Sequence, residues 1–272
     1  MTLTLTHAEI AAAAAALFEA ERRRQQTGLL SQQYPQMTLD DAYAVQAALI
    51  AHKRAAGLEV IGWKIGLTSR AMQQALNIDT PDSGVLLSDM AFPSGATIPL
   101  GRFIQPRIEA EIAFVLNAPL AGADVTRADV LAATDFMAPA LEILDTRILR
   151  ADPVTGVSRK IHDTVSDNAA NAGIVLGTAR HAPQSIDLRW IGAIVRRDGI
   201  VEETGLGAGV LDDPVAGIVW LVRRLAQYGQ GVAAGDILLS GSFIRPIEAP
   251  PGSCFHADFG PFGHVDLTFA ES

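Results

Sequence analysis

The stretch PRIEAEIAFVL, residues 106–116, constrains the fold more than any other part of the chain. Its apolar residues, several of them β-branched or aromatic, predict a buried strand. Side chains alternate between the two faces of a strand, so Glu109 and Glu111 share one face and the apolar residues around them point to the other. Two partly buried carboxylates repel each other unless a cation or hydrogen-bond donors stabilise them. The segment therefore predicts a sheet with one core face and one polar face, which is either a cation site or a solvated surface with contacts to bases such as Arg107.

A third glutamate occurs in a similar context. Glu142 lies in the apolar segment PALEILD, residues 139–145, with Leu141 and Ile143 on the opposite face of a predicted strand. Three strand carboxylates make an oxygen-rich set of the kind that binds hard cations such as Mg²⁺ and Mn²⁺. Spacing alone leaves one alternative open for Glu142, a buried acid paired with an arginine.

The composition excludes several classes of function. The chain has 272 residues, of which 49% are hydrophobic, and this is enough for a large core in one globular unit. The net charge of −9 and the lack of a long basic run argue against nucleic acid as a partner. Cys254 is the only cysteine, which excludes an internal disulfide and a cysteine-rich zinc site and is typical of a reducing compartment. We expect its side chain to be a small buried apolar group.

The N-terminal segment, residues 1–28, contains a run of alanines that resembles a signal peptide in composition. Glu9 precedes this run and no cationic leader does, so the segment predicts a helix instead. Thr6 and Glu9 have the spacing of a capping box, and Gly28 is the expected stop. No apolar stretch is long enough to cross a bilayer. We therefore expect a soluble, cytoplasmic protein with no membrane partner.

Periodicity and turn residues predict an α+β protein. Further helices are predicted over 39–56, where Thr38 and Asp41 provide the cap, and over 69–76, 127–135 and 213–229. The turn-rich segment 77–84 is predicted to be a loop. Strands are predicted at 59–66, 106–116, 137–144, 172–177, 190–197, 200–204, 236–243, 254–260 and 263–270. A helical N-terminal region of about residues 1–57 thus precedes a mainly β body of about residues 58–272.

Five motifs together carry a family resemblance. They are KIGLTS (64–69), TPDSG (80–84), QPRIEAEIAFVL (105–116), PALEILD (139–145) and SDNAANAG (166–173). In this combination the chain resembles the hydratase and decarboxylase branch of the fumarylacetoacetate-hydrolase superfamily over almost its whole length. The resemblance implies a fumarylacetoacetate-hydrolase-like α+β fold, with a mixed β-sheet roll after the N-terminal helices, and a single catalytic unit over residues 1–272. It also implies a homo-oligomer, and an association with a decarboxylase of the same pathway is a further expectation.

The resemblance gives the glutamates a role. In this family the residues that match Glu109, Glu111 and Glu142 bind a catalytic Mg²⁺ or Mn²⁺. The implied reaction is hydration of the small-molecule substrate 2-oxohept-4-ene-1,7-dioate to 4-hydroxy-2-oxoheptane-1,7-dioate, in meta-cleavage catabolism of aromatic compounds such as homoprotocatechuate. The alternatives are hydration of 2-hydroxypenta-2,4-dienoate, decarboxylation of 4-oxalocrotonate and, in a different class, a non-catalytic scaffold subunit for a partner enzyme. Three clustered carboxylates argue against the scaffold, because their mutual repulsion destabilises the fold and a non-catalytic subunit would gain nothing from it.

Lys64 and Asp82 are the catalytic candidates. Lys64 lies in an apolar predicted strand, where its ammonium needs an anion such as a substrate carboxylate or enolate, although a snorkelling surface lysine fits the pattern too. Asp82 matches the residue that activates water or transfers the proton in related hydratases, although an aspartate after proline is also a common turn former. Ser83 stands where the resemblance predicts an aromatic residue, which leaves the shape of the pocket open.

The remaining candidates concern substrate binding. Ser166 and Asn168 are predicted to bind the substrate carboxylate or to hold a loop over it, and a plain turn is the alternative. Arg245 is predicted to bind the distal carboxylate of a dicarboxylic substrate, since a guanidinium matches that anion and the resemblance implies an apolar residue there in hydratases of monocarboxylates. The alternatives for this role are Arg70 and Lys160, in which case Arg245, which precedes Pro246 at a strand end, is a solvated surface charge.

Overall fold

The computed structural model describes residues 3–70, 73–74, 78 and 80–271. Its helices are α1 (His7–Arg23), α2 (Leu30–Gln33), α3 (Leu39–Ala55), α4 (Arg127–Ala133), α5 (Ile161–Ser166) and α6 (Pro214–Ala226). The predicted capping boxes at Thr6 and Thr38 are confirmed, and each threonine hydroxyl accepts from the backbone N–H three residues later. The first helix ends earlier than expected, at Arg23, because Arg24 adopts a left-handed backbone conformation with φ 55°.

The strands in the order of the chain are β1 (Val60–Gly66), β2 (Asp82–Leu87), β3 (Ala91–Pro93), β4 (Ala96–Ile98), β5 (Arg107–Leu116), β6 (Leu120–Ala121), β7 (Thr134–Leu144), β8 (Asn171–Leu176), β9 (Gly192–Arg197), β10 (Ile200–Leu206), β11 (Gly231–Val232), β12 (Ile237–Leu239), β13 (Ile247–Glu248), β14 (Cys254–Asp258) and β15 (His264–Phe269). Within the described residues, the larger sheet has the order β2-β1-β12-β5-β7-β8-β3, with β13 also paired to β5. A second sheet has the order β10-β9-β14-β15-β4. The α+β class is confirmed.

The main core lies between the two sheets. The apolar face of β5, with Ile108, Ile112 and Phe114, is completely buried there, as are Val195 of β9 and Phe255 of β14. Helix α6 covers the same core with the predicted apolar stripe, which consists of Ile218, Leu221, Val222 and Leu225. The opposite face of β5 carries the glutamates, so the fold gives this strand one core face and one polar face, as the sequence predicts.

The N-terminal helices form a second core with parts of the body. Leu17 of α1 and Leu49 of α3 are fully buried and pack in one cluster with Ile148 and Val165, which lie more than 90 residues further along the chain. Asp41 ties the segment before α1 to α3, because its carboxylate accepts from the backbone N–H groups of Thr4 and Leu5 at 2.9 and 3.0 Å. None of the helices in the described ranges combines the length and hydropathy needed to cross a bilayer.

Several predicted boundaries need correction. The predicted helix 69–76 and the loop 77–84 lie partly outside the described residues, and Asp82 belongs to β2 rather than to a loop. The predicted strand 236–243 is regular only at Ile237–Leu239, because the chain turns where Gly241 has φ 106°. The prediction of a buried Cys254 is wrong, since its thiol is exposed at the edge of β14.

Candidate active site

Two neighbouring strands bring the three glutamates together. Strands β5 and β7 pair in antiparallel register with Glu109 opposite Glu142. These two side chains and that of Glu111 therefore leave the sheet on one face. Each residue offers a carboxylate oxygen, and the three oxygens lie within 4.8 Å of one another. The cluster therefore has the spacing of ligands around one ion.

Several buried oxygens of the cluster lack a hydrogen bond that satisfies them, although Oε1 of Glu142 lies 3.3 Å from the ammonium of Lys64. Glu111 and Glu142 are fully buried, and Oε1 of Glu111 and both oxygens of Glu142 make no hydrogen bond within the described part of the chain. Burial and the charge of Glu142 raise the pKa of Glu109 to about 7, and burial followed by the charges of both neighbours raises the pKa of Glu111 well above its usual value. A divalent cation would remove this repulsion and occupy the free lone pairs.

Lys64 lies on the same face of the sheet. It pairs with Leu239 of β12, which pairs in turn with Ala113 of β5, two residues from Glu111. The Lys64 Nζ is 3.3 Å from Oε1 of Glu142, and its side chain is 3% exposed. Burial disfavours the ammonium, but the surrounding carboxylates, with Glu142 first, raise the pKa of Lys64 above its usual value. The lysine is therefore a buried cation inside the cluster, and not a snorkelling surface residue.

Asp82 reaches the cluster because Gly66 has no side chain. Asp82 pairs with Gly66 in the β1–β2 ladder, and a Cβ atom at position 66 would lie 2.2 Å from Oδ1 of Asp82 and 3.1 Å from Nζ of Lys64. The Asp82 Oδ1 atom is buried and makes no hydrogen bond within the described residues. Burial raises the pKa of Asp82, which the charges of Lys64 and Arg159 oppose. The glycine in the KIG motif is the sequence signal for this close approach.

A backbone donor completes the surroundings of Glu111. The N–H of Gly241 donates to Oε2 of Glu111 at 2.8 Å. A Cβ atom on Gly241 would lie 2.4 Å from Oγ1 of Thr68, so this turn needs a glycine. The sequence predicts a strand through the SGSF segment, so this backbone donor does not follow from it.

The structure separates the roles of Ser166 and Asn168. Ser166 ends α5, is fully buried, and its Oγ makes no hydrogen bond within the described residues. Asn168, by contrast, accepts from the N–H of Val85 at 2.7 Å and donates to the O of Val85 at 2.9 Å. Its amide is therefore engaged with the backbone of β2, which makes it a support of that strand rather than a free substrate contact.

The three basic residues predicted for a distal carboxylate lie on the surface. The side chain of Arg245 is 74% exposed and forms an ion pair with Glu203 of the second sheet. Arg70 is similarly exposed and lies 3.6 Å from Asp212, and Lys160 is exposed. The structure therefore places none of them among the glutamates. Ser83 is buried, and its hydroxyl lies 3.5 Å from the phenol oxygen of Tyr43, so an aromatic side chain from α3 comes close to the position where one was expected.

The fold and the site together define a class of protein, an α+β scaffold with a buried cluster of three carboxylates that could hold a metal ion. Comparison with known proteins gives its family. The chain is 49% identical to the 2-oxo-hept-4-ene-1,7-dioate hydratase of Escherichia coli over 93% of its own length and 95% of that protein. It is 38% identical to the 2-keto-4-pentenoate hydratase of Paraburkholderia xenovorans over 94% of its length and 93% of that relative. No model of a protein family matches the chain.

A solved structure agrees with these relatives. The 4-oxalocrotonate decarboxylase of Pseudomonas putida G7, complexed with magnesium and adipate, superposes with a TM-score of 0.92 at 31% identity, covering 98% of this chain and 100% of that one. The chain therefore belongs to the hydratase and decarboxylase family of the fumarylacetoacetate-hydrolase superfamily, a family of lyases. The predicted family and the predicted fold are both confirmed.

Proposed function

We propose that this protein is a divalent-metal-dependent hydratase that adds water to 2-oxohept-4-ene-1,7-dioate and forms 4-hydroxy-2-oxoheptane-1,7-dioate. The observation that carries the proposal is the cluster of Glu109, Glu111 and Glu142 with buried oxygens that lack hydrogen bonds, in a chain 49% identical to a hydratase named for that substrate. We place the reaction in the meta-cleavage breakdown of aromatic compounds, as one catalytic unit formed by the whole chain.

The residues fit a hard divalent ion. Glu109, Glu111 and Glu142 would hold it, because three carboxylates facing one ammonium leave two negative charges uncompensated. We propose Mg²⁺, with Mn²⁺ as the alternative, since the donor set contains only oxygen and a structural relative is complexed with magnesium. When bound, such an ion supplies Lewis-acid stabilisation of the charge that develops on a 2-oxo acid as it enolises.

Lys64 holds the anionic end of the substrate in this proposal. Its ammonium is charged, almost fully buried and fixed 3.3 Å from Glu142, so it can donate to a carboxylate or enolate oxygen without leaving the cluster. Because it is already ordered, it loses little conformational entropy when the substrate binds.

Asp82 moves the proton. It takes a proton from C3 of the 4-ene and returns one at C5, which moves the double bond into conjugation with the C2 carbonyl. Water then adds at C4, and its released proton balances the one gained at C3. A carboxyl group suits both directions when its pKa is raised toward neutrality, and burial raises the pKa of Asp82. Ser166, with its buried and unbonded hydroxyl, is the proposed further contact to the substrate.

Decarboxylation of 4-oxalocrotonate is the second candidate, because the structural relative with TM-score 0.92 is named for that reaction. Incubation of the protein and Mg²⁺ with each of the two substrates separates the candidates. Hydration without release of CO₂ supports the hydratase, and release of CO₂ from 4-oxalocrotonate at a comparable kcat/KM would replace it.

The metal site is tested by Glu109→Gln and Glu142→Gln, with Glu59→Gln as the control on an exposed side chain just before β1. Each cluster variant should weaken Mg²⁺ and Mn²⁺ binding by more than about 100-fold and abolish turnover. Unfolding of the metal-free variants should need as much free energy as the parent or more, because a like charge has been removed. Full activity in either variant, or activity that survives EDTA, would disprove the metal site.

We also propose a homo-oligomer, which associates through the outer face of β9 and β10. Ile194, Val201 and Leu206 share that face by strand pairing and are each more than a third exposed. An association with a pathway decarboxylase is a further proposal, supported by the 34% identity of the chain to the 4-oxalocrotonate decarboxylase of Pseudomonas sp. strain CF600.

A further inference from the structure

Two arginines beside the glutamate cluster have no carboxylate partner. Arg107 is on β5 two residues before Glu109, so its side chain leaves the strand on the polar face with Glu109 and Glu111. Arg159 lies at the base of the hairpin that spans residues 150–159. Neither guanidinium forms an ion pair with any carboxylate of the described residues, although both are half-buried.

Arg159 is held in a fixed orientation by a neutral group. Its Nη1 donates to Oγ1 of Thr146 at 2.8 Å, and that hydroxyl donates to the O of Ile148 at 2.6 Å. The backbone N–H of Arg159 donates to the O of Arg150 at 3.0 Å, which closes the hairpin. The remaining N–H groups of the guanidinium are therefore ordered, and they make no hydrogen bond within the described part of the chain.

The neighbouring carboxylates form no ion pair with either arginine in the described part of the chain, and each accepts from other donors. Asp145 accepts from the N–H groups of Ile104 and Gln105, Asp163 from Ser31, Asp167 from Arg147, and Glu248 is paired with Arg150. A half-buried guanidinium usually occurs with an anion. The two arginines thus have the chemistry of a site for an anion that is not part of the chain.

The charges of the two arginines act on the active site. Arg107 pairs with Leu144 of β7, two residues before Thr146, whose hydroxyl accepts from Arg159. The two guanidinium groups therefore leave neighbouring parts of the fold, and the charge of Arg107, after burial, lowers the pKa of Arg159. The charge of Arg159 stabilises ionised Asp82, and Arg107 interacts with Glu109. An anion between the arginines would therefore lie next to the glutamate cluster, on the side of the cluster where β5 begins.

We propose that Arg107 and Arg159 bind the distal carboxylate of a dicarboxylic 2-oxo acid and so select this substrate over a monocarboxylic one. The inference rests on the proposed function, in which the other end of the substrate lies at the glutamates. Two strand residues span about 6.6 Å, which is the step from Glu109 to Arg107. The six carbon–carbon bonds of a heptenedioate, each about 1.5 Å long, set its carboxyl carbons roughly 7–8 Å apart when extended. The backbone step between the two positions is thus of the same order as the length of the substrate.

Arg107→Met and Arg159→Met test the proposal in the full-length protein with Mg²⁺ present. The ligands are 2-oxoheptanedioate and 2-oxoheptanoate, which differ only in the distal carboxylate and cannot be hydrated, so calorimetry measures their affinity independently of turnover. Arg189→Met is the matched control, because Arg189 is exposed and paired with Asp187. The parent and the control should bind the diacid about 10- to 100-fold more tightly than the monoacid.

Each of the two variants should lose most of this preference and keep its affinity for the monoacid within about twofold. Arg159→Lys retains a cation on the hairpin and should keep part of the preference for the diacid. This variant distinguishes loss of the charge from disorder of the hairpin. Equal weakening of both ligands, a parent without preference, or a preference lost only in Arg245→Met would overturn the proposal. Hydration of the heptenedioate by the parent is assayed separately. A parent that binds the diacid through the arginines but does not hydrate it would contradict the proposed function and support this inference.

Discussion

Glu142 is completely buried and lies beside two other carboxylates, so its ionisation depends on the groups that neutralise it. Lys64 is one of these groups, at 3.3 Å, and burial raises the pKa of Glu142 in spite of it. Removing the cation from a buried pair is far more costly than the pair is stabilising, because a charge is left without a partner. The residues of the cluster are therefore interdependent, and each substitution should affect metal, substrate and proton transfer to a different degree.

Protons should compete with the metal at Glu109. The pKa of this carboxyl is raised to about 7 in the metal-free protein, and a metal ligand must be ionised. Apparent affinity for Mg²⁺ should therefore rise between about pH 6 and about pH 8, and the slope should become shallower in Glu109→Gln. Titration calorimetry over this range checks the expectation, and an affinity independent of pH would contradict it.

The raised pKa of Glu109 also makes the stability of the metal-free protein depend on pH. Stability falls as the pH rises, whereas the affinity for the metal increases. Below the ordinary value of 4.5 the carboxyl of Glu109 is protonated in both the folded and the unfolded chain. Above it the unfolded chain loses the proton first, so the metal-free protein should become less stable as the pH rises toward 7. Thermal unfolding in EDTA should show this fall in Tm, and Glu109→Gln should show less of it.

Lys64 and Asp82 should differ in their kinetic effects. Lys64→Met should raise KM and lower kcat, because in the proposed mechanism the ammonium holds the substrate anion before and during the reaction. Asp82→Asn should lower kcat by about 100- to 10,000-fold with little change in KM, because proton transfer occurs in the transition state. Steady-state kinetics measures both constants, and an unchanged kcat in Asp82→Asn would remove Asp82 from the mechanism.

How far the sequence predicts these residues depends on how local their signal is. The shared face of Glu109 and Glu111 follows from strand alternation alone, and the structure has it. The ion pair of Arg245 with Glu203 links the segment before β13 to β10 of the second sheet. No local sequence pattern around either residue predicts this contact. The exposure of Cys254 likewise depends on which strands lie beside it, and the composition of the chain gives no information about that.

At the scale of elements, strand β2 positions Asp82 although it lies at an edge of the larger sheet. The side-chain amide of Asn168 satisfies the N–H and C=O of Val85, where another strand would otherwise pair, and Asn171 donates to the same carbonyl at 3.0 Å. Asn168 has φ 53°, a conformation that asparagine tolerates better than most residues. The short segment after α5 therefore takes the place of a neighbouring strand.

Asn168→Ala should loosen this strand. The N–H of Val85 would be left buried without its acceptor, which should lower the free energy of unfolding by about 1–3 kcal/mol. Because Asp82 is on the same strand, kcat should fall while affinity for Mg²⁺ stays the same. Denaturant unfolding and calorimetry check the two effects, with Asn117→Ala at an exposed position as the control. A loss of metal affinity equal to the loss of kcat would argue against support of β2.

The elements that the sequence predicts correctly are those whose caps, apolar stripes or turn residues lie within one continuous segment. The helices that begin at Thr38 and Asp213 have their caps and apolar stripes within one segment, and both are present. The hairpin at Asp198-Gly199 is also present, since both residues have the positive φ that its tight turn requires. Strand β2 was missed because Pro81-Asp82 has the composition of a turn, whereas its pairing with β1 is decided by contacts elsewhere in the fold.

At the scale of the whole molecule, the two faces of the second sheet differ in exposure. The inner face fills the main core, and the outer face of β9 and β10 exposes the apolar side chains proposed as the subunit contact. Trp190, just before β9, is 74% exposed and adds to this surface. Surfaces of this kind usually mark a site of association.

Val201→Glu should therefore reduce the oligomer to smaller species, because it places a charge where the face would be covered. Val154→Glu is the matched control, on a loop where the native valine is 89% exposed. Light scattering coupled to size-exclusion chromatography gives the mass of each variant. Dissociation by Val154→Glu but not by Val201→Glu would assign the contact to the other surface.

The pairing of Glu109 with Glu142 also has a consequence for folding. A slip of one residue between β5 and β7 would turn Glu142 to the side now occupied by Leu141 and Ile143. The misaligned chain would then bury a charge in its core and lose its set of oxygen ligands in the same step. A divalent cation present during refolding should therefore favour the correct alignment of these strands. The glutamates that would bind the ion would then also help to select the register of the sheet.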